Sequence, residues 1–147
     1  MILYLDTSSL VKLYVEEVGT EDVRALLAKA QVVATSDVAY PEMRAALARR
    51  HREGSLSSAH FRAAKRGLDA DWPSYVAVSA TAALCREAGD VAERYRLRGF
   101  DAIHLASFID LLRTAGTTLV EFSSFDTALN RAAAGARRAG RRTGRRR

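Results

Sequence analysis

Apolar residues fall in short bursts separated by longer stretches with helical spacing. The first burst, residues 2–6 (ILYLD), runs four apolar or aromatic residues into an aspartate and predicts a short buried strand. Similar bursts at 31–35, 75–78 and 117–122, the last rich in Thr and Val, predict three more strands. Helical patterns occupy 8–15, 20–30, 36–52, 57–70, 80–98, 101–115 and 124–138. Several have clear punctuation. Thr20, Glu21 and Asp22 form a capped acidic first turn, Pro41 is tolerable only near a helix start, and Gly54, Gly99 and Gly116 mark stops. Strands separated by helices require crossover connections. We therefore expect an α/β protein, with a short, mainly parallel central sheet covered by helices.

The 147 residues suit one domain, and 48% hydrophobic content supports a sizeable core. Neither a membrane span nor a secretory signal is visible, since Asp6 interrupts the apolar opening at once and no basic lead precedes it. We expect a cytoplasmic protein with no membrane partner. Cys85, the one cysteine, can form no internal disulfide and is expected to be a small core residue. The net charge of +6 is unevenly spread. Eight arginines and no acid follow Asn130, so residues 1–130 hold 15 basic against 17 acidic groups. The expected organisation is a domain over 1–136 and a disordered, arginine-rich tail over 137–147. Such a tail suits nucleic acid, acidic protein or plain solvation equally.

Open parallel sheets build their sites beyond the carboxyl ends of the strands. Asp6 ends the first predicted strand, Glu42 lies early in the helix after the second, and Asp126 follows the fourth. Asp101 opens its own helix near the same edge. Taken singly, Glu42, Asp101 and Asp126 are better explained as acids that favour a helix start than as site residues. Asp6 is harder to dismiss, because it follows an apolar strand that is expected to be central. Carboxylates converging there would repel one another unless a cation sat between them, and carboxylate oxygen suits hard divalent ions such as Mg²⁺. That arrangement fits metal-assisted phosphodiester hydrolysis, in which the ion activates water and offsets charge developing on the phosphate. No Cys–His nucleophile pair and no phosphate-cradling glycine loop competes with it.

The segments LDTSSLVKLY, TSDVAYPEMRAAL, LRGFDAIHLASF and VEFSSFDTALNRAA, taken together, resemble the successive motifs of PIN-domain ribonucleases. The closest likeness is to the VapC-type toxins of type II toxin–antitoxin pairs, over about residues 2–134. The resemblance implies a three-layer α/β/α sandwich and Mg²⁺- or Mn²⁺-dependent endoribonuclease activity. It implies neutralisation by a cognate VapB-type antitoxin, and a homodimer. It makes Asp6 and Asp101 the metal ligands. Glu42 and Asp126 complete the catalytic set directly or through water, and Thr7, Ser8 and Ser124 support it. Thr7 and Ser8 equally suit capping of the first helix. The family's further short strand after the last helix has no apolar counterpart in ARRAGRRTGRRR.

Other candidates are weaker. His104, one turn after Asp101, is expected to support the site or to pack rather than to ligate. His51, His60 and the basic clusters at 48–53 and at Arg94, Arg96 and Arg98 read as solvated surface, although a basic strip would help RNA approach. Tyr4, Tyr14, Phe100 and Phe108 read as core or interface. Val11, Leu13 and Tyr14 suit either core packing or contacts with a partner. Two other functions compete. A haloacid-dehalogenase-like phosphatase also places an aspartate after its first strand, but it needs a second two residues later, where this chain has Ser8. A degenerate PIN domain that only binds RNA or protein is the non-enzymatic alternative.

Overall fold

Four parallel strands carry the molecule: β1 (Ile2–Leu5), β2 (Val32–Ser36), β3 (Val76–Val78) and β4 (Val120–Ser123), in the spatial order β3-β2-β1-β4. The structure, a computed structural model, describes residues 1–144. β1 is central. Ile2, Leu3 and Tyr4 pair with Val32, Val33 and Ala34 on one side, and Ile2 to Leu5 pair with Val120 to Ser123 on the other. With both edges paired and both faces covered, Leu3, Tyr4 and Leu5 are completely buried, which explains the unbroken apolar run.

Alternation along β1 feeds two helical layers. Leu3 and Leu5 pack with α1 (Thr7–Leu10), α2 (Thr20–Leu27), α3 (Ala39–Arg52) and α4 (Ser58–Asp71), through residues such as Leu10, Val23, Met43 and Leu68. Tyr4 points the other way. It packs with α5 (Ala82–Tyr95), α6 (Gly99–Ala115) and α7 (Thr127–Gly144), through Leu84, Leu105, Phe108 and Leu129. The expected three-layer α/β/α arrangement with a short parallel sheet is borne out.

Several boundaries differ from expectation for local reasons. The first helix begins at Thr7 and tightens after Leu10 into a 3₁₀ turn over Val11–Leu13. Its cap is Asp6, whose Oδ1 accepts the Ser9 N–H at 2.9 Å, so neither Thr7 nor Ser8 caps it. Gly116, at φ +94°, and a turn closed by Leu119 N–H to the Gly116 carbonyl delay β4 to Val120. Ser36 belongs to β2 rather than to the next helix, and Pro41 stands in the first turn of α3. Cys85 is exposed, not a core residue.

The largest correction is at the C-terminus. α7 continues to Gly144, so 137–144 is not the disordered tail the sequence suggested. Alanine and arginine are good helix formers, and Ala132, Ala133 and Ala136 bury one face of α7. Arg137 also reaches β4, donating to the Val120 carbonyl at 2.7 Å. Residues 145–147, the rest of the expected tail, lie outside the described residues. Among the described residues the sheet has no fifth strand.

Candidate active site

Asp6 leaves β1 at its carboxyl end and is buried, with 5% of its surface exposed. Its carboxylate is enclosed by donors. Ser8 Oγ lies 2.7 and 3.0 Å from the two oxygens, Ser124 Oγ donates to Oδ2 at 2.6 Å, and the Ser9 amide binds Oδ1. Among the described residues no lysine or arginine pairs with it. Burial pushes its pKa up, and the Ser124, Ser8 and Ser9 hydrogen bonds only partly offset that.

Glu42 is held differently. Its Oε1 accepts from Thr7 Oγ1 and from His104 Nε2, each at 2.8 Å, while Oε2 takes no hydrogen bond among the described residues. Burial pushes its pKa up, but the His104 and Thr7 interactions outweigh it and leave the group below its ordinary range. His104 is itself buried, and its Nδ1 lies 2.9 Å from the Tyr4 hydroxyl. Burial raises the Tyr4 pKa well above the usual value, so this hydroxyl keeps its proton.

Asp101, in the first turn of α6, shares a cleft of about 640 Å³ with Glu42. Cys85, Arg98, Phe100 and Ile103 also line the cleft. The partner of Asp101 is Arg98 at 3.3 Å, whose side chain is largely exposed. Asp126 does cap a helix, because its Oδ1 accepts the Leu129 N–H at 2.7 Å. It is joined to Asp6 through Ser124, whose Oγ also accepts the Asp126 N–H at 3.0 Å.

The loop between β4 and α7 is docked by packing. The Phe125 N–H donates to Ser8 Oγ at 2.8 Å, and its ring lies 4.2 Å beneath the Lys12 ammonium. Lys12 and Arg50 clasp the two oxygens of Glu17, each at 2.7 Å. The same ring touches Gly19, where a Cβ would stand 2.3 Å from it.

The PIN-domain family model matches residues 3–135. The chain belongs to the PIN-domain family. Two relatives from Mycobacterium tuberculosis, named ribonuclease VapC45 and ribonuclease VapC49, are each 38% identical to it over 106 residues, or 72% of this chain and 74% of the relative. Membership sets aside the phosphatase alternative, which rested on the single aspartate after β1.

In this PIN domain the four acids expected from the sequence are gathered in linked pairs rather than as one cluster. Among the described residues no three His, Cys, Asp or Glu side chains already surround one point. Glu42 and Asp101 face one cleft, Asp6 and Asp126 meet through Ser124, and Thr7, the residue after Asp6, donates to Glu42. The donor chemistry still suits a hard cation. The set is carboxylate oxygen, and among the described residues Asp6 has no lysine or arginine partner and Glu42 Oε2 takes no hydrogen bond. The sequence carried little sign of the His104–Glu42 and Tyr4–His104 contacts, which span 62 and 100 residues. The one hint was the placement of His104 a turn after Asp101.

Proposed function

We propose that this chain is a VapC-type endoribonuclease, hydrolysing RNA phosphodiester bonds as the toxin of a toxin–antitoxin pair. A cognate VapB-type antitoxin neutralises it, and it works in the cytoplasm as a homodimer. The observation that carries the reading is Asp6: a buried carboxylate at the sheet's carboxyl edge, wrapped by hydroxyl and amide donors, with no lysine or arginine partner among the described residues. PIN-family membership and two relatives named as ribonucleases supply the reaction class.

Asp6 and Asp101 would hold Mg²⁺ or Mn²⁺, with Glu42 and Asp126 bound directly or through water. When bound, the ion draws electron density from the scissile phosphate and makes water a better nucleophile. The protein's own part is orientation. Ser8, Ser124 and the Ser9 amide fix both oxygens of Asp6, so little reorganisation remains when substrate arrives. Glu42, kept ionised by His104 and Thr7, presents Oε2 as an acceptor for a proton of the attacking water. The exposed arginines Arg131, Arg138 and Arg141 of α7 have no ion pair among the described residues and suit an RNA backbone. The test is incubation of the purified chain with varied RNAs in Mn²⁺, then in excess chelator. Cleavage in Mn²⁺ that chelator abolishes supports the reading. Binding without cleavage across all RNAs would replace it with a binding-only PIN domain.

A further inference from the structure

We infer that His104 is a positioning residue, acting through Glu42 to present a single carboxylate oxygen, Oε2, to the cleft. The inference rests on the nuclease reading and adds to it a residue outside the four acids. Glu42 Oε1 needs donors, so His104 Nε2 carries the hydrogen at this 2.8 Å contact. Nδ1 is then an acceptor and takes the Tyr4 hydroxyl hydrogen at 2.9 Å. Tyr4 is anchored on the central strand, stacked on Phe122 with ring centroids 5.5 Å apart, and completely buried. The imidazole is 2% exposed and set edge-on to the Tyr4 ring. Neither ring can turn without leaving a buried polar atom unpaired.

Thr7 Oγ1 donates to the same Glu42 oxygen and lies 3.2 Å from His104 Nε2, which closes a three-membered network around Oε1. Among the described residues both donors to Glu42 thus engage one oxygen, and the other takes no hydrogen bond, on a residue that lines the cleft. Carboxylates that serve metals are commonly oriented by such outer hydrogen bonds, and losing one costs about 10- to 100-fold in affinity or activity. His104 itself touches neither substrate nor ion.

Two substitutions separate this role from packing. In His104→Gln the amide nitrogen reaches the place of Nε2 and can still donate to Glu42, whereas in His104→Asn it falls short, near the place of Nδ1. Calorimetric titration of the metal-free full chain with Mn²⁺ reads the site without RNA. We expect affinity about 10- to 100-fold weaker for His104→Asn, largely recovered in His104→Gln. His104→Asn added to Glu42→Gln should weaken binding no further than Glu42→Gln alone. Should His104→Asn unfold, Tyr4→Phe removes only the hydroxyl that holds Nδ1 and should give a smaller loss of the same kind. Wild-type affinity in the folded variants, additive losses in the double variant, or equal losses for Asn and Gln would overturn the inference. A wild-type chain that takes up no Mn²⁺ overturns the nuclease reading and this inference with it.

Discussion

Asp6 and Glu42 lie near the same sheet edge, yet the pKa of Asp6 is raised and that of Glu42 lowered, because they are buried against different neighbours. Folded Asp6 holds its proton more tightly than the unfolded residue does. Its contribution to stability is therefore fully present below the unfolded value of about 3.9 and is lost as pH rises through the raised folded value. At neutral pH the ionised group opposes folding when no cation is bound. Asp6→Asn, which can still accept the Ser9 N–H, should raise the Tm of the metal-free protein. Glu42 is the reverse: its contribution is present above about 4.3 and lost as pH falls through its lowered folded value. Glu42→Gln should lower Tm at neutral pH. Thermal unfolding of both variants in chelator checks the two signs, and equal shifts would contradict the assignment. Mn²⁺ should stabilise the wild type, by about 2.7 kcal/mol at a hundredfold excess over Kd, and should not stabilise Asp6→Asn.

At the scale of elements, the loop that bears Ser124 and Asp126 depends on what presses against Phe125. Gly19, at φ +90°, caps α2 and lies against that ring. Gly19→Ala meets a backbone conformation that suits glycine and a ring 2.3 Å away. It should destabilise by about 1–3 kcal/mol and loosen the loop. Denaturant unfolding measures the first effect, and reduced cleavage at unchanged fold the second. The strands and crossover helices were legible in the sequence because β1 buries both faces and the acids follow strand ends. The cap on α1 was not, because Asp6 reads as a site residue and Thr7 and Ser8 as better cap candidates. Cys85 was misplaced because small residues suit either side of an amphipathic helix, and only the packing of α5 on α6 settles which side it takes. Contacts such as His104–Glu42 depend on how two crossovers return to one edge, which local pattern does not encode.

Across the whole molecule, charge is divided between a mildly acidic body and a basic last helix. The sequence suggested a separate tail because its composition is only alanine, glycine, arginine and one threonine. The structure instead continues α7 from the loop carrying Asp126, so its exposed arginines lie on an element that starts at the site's edge. Changing Arg131, Arg138 and Arg141 together to Gln should weaken RNA binding across sequences and make the salt dependence shallower by about 2 in log–log slope, at roughly 0.7 per single-strand phosphate contact. An unchanged slope would mean that these arginines are only solvated. The central claim is that the carboxylate ending β1 serves phosphodiester hydrolysis. Its most direct test compares RNA cleavage by wild type and Asp6→Asn in saturating Mn²⁺, with folding of both verified by circular dichroism. We predict cleavage by the wild type and a loss of about 100- to 1,000-fold in the variant, the equivalent of roughly 3–4 kcal/mol of transition-state stabilisation. Equal cleavage by the two folded proteins would contradict the account.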